Sequence, residues 1–288
     1  MITLKNETLT ALISETGAEV KSLSRAGEEF IWEGDPEIWK FSAPMVFPIC
    51  GALKDGKFIH RGKEYALQKH GFARTSEFSV SKLSEEEAVF TLAATDETRA
   101  VFPFEFELRV IYTLEGERLA VRYEVENKGF EKMYFSLGSH EAYKTPEGIE
   151  EYDVIFDEPV SLAKTVIEDA LTTEKTVPVL KNSSVLPLYH KSFENDALLF
   201  RDVAFRAATL KNRVNGRGVR VEFPDMRHML LWHVKKSPYM CIEPWDGLPD
   251  AADADGRIEN KLDVTELEAG KIYKNVHFIT PIPRGENK

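Results

Sequence analysis

Two cysteines, Cys50 and Cys241, are all that the 288 residues contain. That is too few to staple a chain of this size, so a disulfide framework is excluded and reduced, partly buried thiols are expected. Long hydrophobic runs are missing as well, and no stretch approaches the roughly 20 apolar residues of a membrane span. The opening residues Met1-Ile2-Thr3-Leu4-Lys5-Asn6-Glu7 lack the charged region and apolar run of a secretory signal. A cytoplasmic protein is therefore expected, and the sequons Asn6-Glu7-Thr8 and Asn182-Ser183-Ser184 mean little without export. Basic charge is in deficit too: 37 Lys+Arg against 48 Asp+Glu give a net charge of −11. This opposes attraction to phosphate backbones and to anionic membrane surfaces, so neither nucleic acid nor membrane is an expected partner.

Several catalytic signatures are absent. There is no Gly-rich phosphate loop ending in Gly-Lys-Ser/Thr and no Gly-x-Ser-x-Gly elbow. Seven histidines are present, none in a tight metal-binding pair. His228 and His233 stand five apart across a strand and point to opposite faces. Asp253-Ala254-Asp255-Gly256 fails as a calcium loop, because its register puts Ala251 at the first ligand position and Leu262 where the bidentate Glu belongs. The stretch Asp250–Asp255 reads as a solvated acidic loop. No metal and no cofactor are expected.

What is present is a period of two. Phe106, Leu108, Val110, Tyr112 and Leu114 alternate with Glu107, Arg109, Ile111 and Thr113, as a strand with one buried face does. Glu115-Gly116-Glu117-Arg118 then turns, Leu119 to Glu126 alternate again, and residues 106–126 read as an antiparallel hairpin. Similar short runs recur, among them Thr8–Ser14, Glu19–Ser24, Glu77–Leu83, Ala88–Ala93, Tyr134–Leu137, Ala197–Phe200, Val219–Phe223, Met229–Val234 and Ile272–Thr280. No 15-residue stretch holds a helical apolar period. The reading is all-β: a large antiparallel two-sheet β-sandwich, one domain over residues 1–288. Ser161–Ser184 is the least strand-like segment and is expected to be an excursion loop with one helical turn.

Three segments carry candidate chemistry. In Lys69-His70-Gly71-Phe72-Ala73-Arg74 a glycine after the imidazole lets the backbone approach a ligand, and a guanidinium follows four residues on. His140 follows the small residues Gly138 and Ser139, which suits a cleft floor. A lone histidine in either setting is more often a structural hydrogen-bonder. In Tyr239-Met240-Cys241-Ile242-Glu243-Pro244-Trp245 a carboxylate ends an apolar run, where desolvation raises its pKa toward a useful base, with a tryptophan that can stack on sugar C–H faces. The competing reading of Glu243 is a strand-end carboxylate in water.

Taken in order, these strings resemble the aldose 1-epimerase (galactose mutarotase) superfamily, in particular its divergent aldose-epimerase-like branch. The series is Pro44–Gly51, His70-Gly71-Phe72-Ala73-Arg74, Gly138–Tyr143, Asn195–Phe200 and Ile242-Glu243-Pro244-Trp245, spanning residues 1–283. The resemblance implies a β-supersandwich and a cofactor-independent interconversion of the α and β anomers of an aldose. By position, Glu243 matches the general base, His140 the general acid and His70 a second substrate-contacting histidine. Asp196 matches a carboxylate that binds sugar hydroxyls, and Arg74, from the branch's own string, stands as a sugar-hydroxyl or phosphate ligand. The Asn-Arg pair of the best-known galactose mutarotases is replaced by Leu53-Lys54-Asp55-Gly56, which leaves the substrate open.

Opening a cyclic hemiacetal takes the proton from the C1 hydroxyl and gives one to the ring oxygen, so one carboxylate and one imidazole suffice. Ordinary pKa values of about 4.3 and 6.5 leave a narrow window for carboxylate and imidazolium together, unless burial and mutual attraction widen it. The implied partner is a monosaccharide. Other readings are a hexose-6-phosphate 1-epimerase, a sugar-binding regulatory protein without catalysis, and a glycoside hydrolase using Glu243 and Asp196 as its carboxyl pair.

Overall fold

The computed structural model describes residues 1–234 and 236–285. Among these residues, strands dominate. A fifteen-stranded sheet and a four-stranded sheet, the latter made of Ile2–Lys5, Leu9–Ile13, Val20–Arg25 and Glu28–Glu29, are joined by two two-stranded ribbons. Strand pairing is antiparallel. Leu9, Ala11 and Ile13 of the smaller sheet and Phe90, Val110 and Leu119 of the larger one belong to a shared buried core, which makes the architecture a β-sandwich. The helical content includes Asp96–Val101, capped at its start by the Thr95 hydroxyl. No described helix is long and apolar enough to cross a membrane.

The hairpin expected at 106–126 forms as Phe106–Glu115 and Arg118–Asn127, registered from Phe106↔Asn127 to Glu115↔Arg118. Its apolar set is buried as the alternation requires. Tyr134–Leu137, expected as one strand, divides at Ser136. Met133–Phe135 pairs with Thr265–Leu267, whereas Leu137–Ser139 joins the large sheet beside Tyr239–Asp246.

The segment expected to be an excursion loop is a correction. Tyr152–Glu168 and Leu171–Pro187 form a long hairpin, with Asp169 and Ala170 as a two-residue turn. Both turn residues have positive φ, 51° and 64°, as a turn of the twist-compatible type requires. Much of the hairpin is solvated on both faces, so no apolar alternation marks it, while Thr165, Val166, Ile167, Thr172, Thr173 and Val177 supply β-branched residues that favour strand. Thr172 is tied to the neighbouring loop: its N–H and hydroxyl donate to the Asp250 carbonyl, and the Ala252 N–H donates to its own carbonyl.

Candidate active site

Tyr239–Asp246 is buried along its whole length. Alternation sends Met240 and Ile242 into the main core and turns Cys241, Glu243 and Trp245 to the opposite face. On that face Glu243 lies between two small apolar clusters, one around Trp245, Leu230 and Leu199, the other around Cys241, Tyr239 and Trp32. The neighbouring strand His228–Trp232 places Leu230 directly across from Glu243.

The other neighbour of this strand supplies His140. Leu137 and Gly138 pair with Asp246 and Trp245, and Ala142 to Lys144 pair with Cys241 to Tyr239 in the same register. Between these two stretches the ladder lapses for three residues, opposite Pro244, which has no N–H to offer. His140 occupies the position facing Glu243 across this gap, with Nδ1 at 3.4 Å from Oε1. The small residues before His140 pack against Trp245: a Cβ on Gly138 would come within 2.3 Å of the Trp245 ring, and the Trp245 indole N–H donates to the Ser139 carbonyl.

His70 arrives on the loop after Leu67. Its own N–H donates to the Gly51 carbonyl, and the Gly51 N–H donates to His70 Nδ1 at 3.2 Å. An acceptor Nδ1 puts the proton of the neutral ring on Nε2. Its ring is 5.6 Å from His140 and 5.5 Å from Trp245, edge-on to both. The role expected for Gly71 is corrected. At φ 69° its would-be Cβ sits 2.2 Å from the Phe47 carbonyl oxygen, so the close approach is to the protein's own backbone and not to a ligand.

His70, Arg74, His140, Asp196 and Glu243, drawn from segments far apart in sequence, all line one cleft of about 200 Å³. Asp196, at φ 99°, accepts from the Ala197 N–H. The Leu53–Gly56 segment stays outside: Leu53 is core, and the Lys54 ammonium donates to the Ala254 carbonyl. Sequence reasoning missed three further lining residues, Lys69, Trp39 and Trp232. Trp39 lies 5.1 Å from the His140 ring and 5.4 Å from Trp232. The available signal was rarity, since the chain has four tryptophans and three of them line this cleft.

Burial dominates the electrostatics. Desolvation pushes the Glu243 carboxyl well above its usual range; the Lys69 charge pulls the other way, and Glu141 and Asp196 add to the rise. His140 is pushed down to about 3, first by burial and then by the Lys69 charge. His70 is lowered as well, by burial and then by His140, Lys69 and Arg74. Desolvation thus outweighs the mutual attraction of carboxylate and imidazolium that sequence reasoning allowed for. Burial favours a proton of the pair on Glu243 over one on His140, and favours neutral imidazoles.

Among the described residues, two groups have the geometry of metal clusters. His140, Cys241 and Glu243 bring ligand atoms within 4.8 Å of one another, but burial holds both the Cys241 thiol and the Glu243 carboxyl toward protonated forms, which are poor ligands. Asp202, His228 and Asp263 form the other. There His228 Nδ1 accepts the Asp202 N–H, so the neutral ring carries its proton on Nε2 and turns no lone pair toward Asp263. His233 instead contacts the Tyr239 carbonyl and His190, away from His228.

A profile of the family described as aldose 1-epimerase matches residues 1–276. The plasmid and chromosomal forms of protein LacX from Lactococcus lactis subsp. lactis are each 34% identical, over 97% of this chain and 98% of their own. The crystal structure of a galactose mutarotase related enzyme from Lactobacillus acidophilus superposes with a TM-score of 0.93 at 32% identity, covering 98% of this chain and 97% of its own. A galactose mutarotase-like protein from Lactobacillus casei gives 0.93 at 29%, covering 98% and 100%. A galactose 1-epimerase from Lactobacillus acidophilus shares the fold, with a TM-score of 0.73 at 15% identity over 99% of this chain and 94% of its own.

Proposed function

Since this chain belongs to the aldose 1-epimerase family, we propose that it is a mutarotase that interconverts the α and β anomers of an aldose, with Glu243 as base and His140 as acid. The observation that carries this reading is the opposition of Glu243 and His140 across an unpaired gap in the sheet, 3.4 Å apart at the floor of the cleft. A separation of that size is usual for acid–base groups before substrate tightens them.

The pair needs one proton in total. The proton first passes from Glu243 to His140 across the 3.4 Å gap; the Glu243 carboxylate then takes the C1 hydroxyl proton as His140 protonates the ring oxygen, the C1–O5 bond breaks and an open-chain aldehyde forms. Glu243 is then protonated and His140 neutral, the arrangement that burial favours, so the desolvated site eases the opened state. Rotation about C1–C2 and the reverse transfers close the other anomer. The Nε2–H of His70 donates to a sugar oxygen, Asp196 accepts from hydroxyls, and Trp39, Trp232 and Trp245 offer apolar faces to C–H edges.

The test is polarimetry on freshly dissolved α-D-galactose and α-D-glucose, and exchange NMR on hexose 6-phosphates. The parent protein should accelerate anomer exchange of at least one of them. If a correctly folded Glu243→Gln variant matches the parent, the assignment of the base fails.

A further inference from the structure

Among the described residues, two cations lining this cleft, Lys69 and Arg74, have no acid partner. Many of the chain's arginines, Arg109, Arg217, Arg220 and Arg227 among them, meet a carboxylate. Arg74 instead lies with its guanidinium 5.1 Å over the Phe41 ring and donates from Nη2 to the Lys69 carbonyl, and its Nε is buried without a hydrogen-bond partner. Lys69 is exposed at the rim, and among the described residues neither cation forms an ion pair. The remaining ionisable lining groups do not cancel them. Asp196 accepts from the Ala197 N–H and pairs with neither cation, so its single charge offsets at most one of the two, while burial favours the neutral forms of Glu243, His70 and His140. In a chain of net charge −11, the mouth of this one cleft therefore offers unneutralised positive charge.

From this arrangement we infer that the sugar turned over here carries an anionic group, a phosphate or a carboxylate, at the carbon farthest from the anomeric centre. Lys69 and Arg74 hold that group at the rim while C1 reaches Glu243 and His140. Depth decides the orientation. Glu243 and His140 are 1% and 7% exposed, whereas Lys69 stands at the surface, so an anion near C1 would be driven against a desolvated carboxyl. A phosphate on O1 itself is excluded by the chemistry, because it replaces the proton whose removal opens the ring. A guanidinium with N–H donors to spare suits the oxygens of phosphate or carboxylate, and the exposed lysine adds a point charge.

The inference rests on the mutarotase reading, and its test separates the two. Anomer exchange is measured by NMR for hexose 6-phosphates, hexuronates and the matching neutral hexoses, with the parent, Lys69→Gln and Arg74→Gln, and binding of the same sugars is followed by calorimetry. The expected result is a kcat/KM for one anionic class at least about tenfold above the neutral sugar, a ratio that each substitution lowers about tenfold. The phosphate and uronate arms identify the group. Equal or better turnover of neutral sugars, or substitutions that lower both classes by the same factor, overturns the inference and leaves the mutarotase reading standing. If no sugar is turned over, that reading fails. Calorimetry then decides alone: preferential binding of an anionic sugar that is lost in both variants upholds the anion site, and its absence overturns it.

Discussion

His140, in the short break between the strands Leu137–Ser139 and Ala142–Lys144, faces Glu243 on the antiparallel strand beside them, with Nδ1 and Oε1 3.4 Å apart. The gap gives both side chains room to turn toward a third molecule, and the paired residues on either side hold their spacing. Rigid strands position such groups more closely than loops can.

Removing the carboxyl tests the pair directly. Glu243→Gln keeps the shape and abolishes proton transfer, so the rate of anomer exchange should fall by about 10²–10⁴-fold while far-ultraviolet circular dichroism is unchanged.

The pH profile follows from the directions of the two shifts. The competent free enzyme holds one proton on the pair. Gaining a second charges His140, which burial resists until about pH 3, and losing the first ionises Glu243, which burial delays well above the usual carboxylate range. The acid limb of kcat/KM, set by His140, should lie well below the ordinary histidine value of about 6.5, and the alkaline limb, set by Glu243, above the usual carboxylate range. Steady-state rates across that range check it, and a limb at the ordinary value that disappears in His140→Gln would contradict it.

Stability should respond to the same carboxyl with a defined sign. Glu243 binds its proton more tightly folded than unfolded, so its contribution is most favourable below about pH 4.3 and is lost as pH rises toward the elevated value. Glu243→Gln removes that loss. Its Tm should exceed the parent's at pH 7, by about 2–4 °C per kcal/mol relieved, and the difference should shrink toward pH 4.

The turn Asp169-Ala170 holds two non-glycine residues at positive φ. Replacing them with Asn-Gly suits that backbone and should stabilise the protein by about 1 kcal/mol in urea unfolding, with strand content unchanged.

Lys261 and Asp250 form a buried ion pair at 2.8 Å beneath the loop that carries the cleft residue Pro249, and Asp250 also accepts the Lys54 N–H. Lys261→Met leaves that carboxylate without its countercharge. Unfolding free energy should drop by about 3–5 kcal/mol, with KM raised more than kcat is lowered.

The hairpin 106–126 was legible because one face is buried and the other wet, so burial wrote itself into alternate residues. Residues 152–187 were not, because a ribbon solvated on both sides leaves no such imprint and only its β-branched composition spoke for strand. The site residues His70, His140, Asp196 and Glu243 were named from local strings and share one cleft. Trp39 and Trp232 escaped because nothing in their own neighbourhoods distinguishes them, and Lys69 was read only as the neighbour of His70. What makes them part of the site is the pairing of strands more than ninety residues apart, such as Ala142 with Cys241. The tautomer of His70 was equally out of reach, since it depends on the N–H of Gly51.

Facing positions in a ladder also constrain how the gene can vary. A strand's side chains alternate between faces, so inserting or deleting a single residue between Gly138 and Ala142, or between Cys241 and Trp245, would swing His140 or Glu243 from the cleft to the core side. These two stretches should tolerate substitution far better than any change of length, and functional descendants of this chain should keep both counts fixed even where the letters drift.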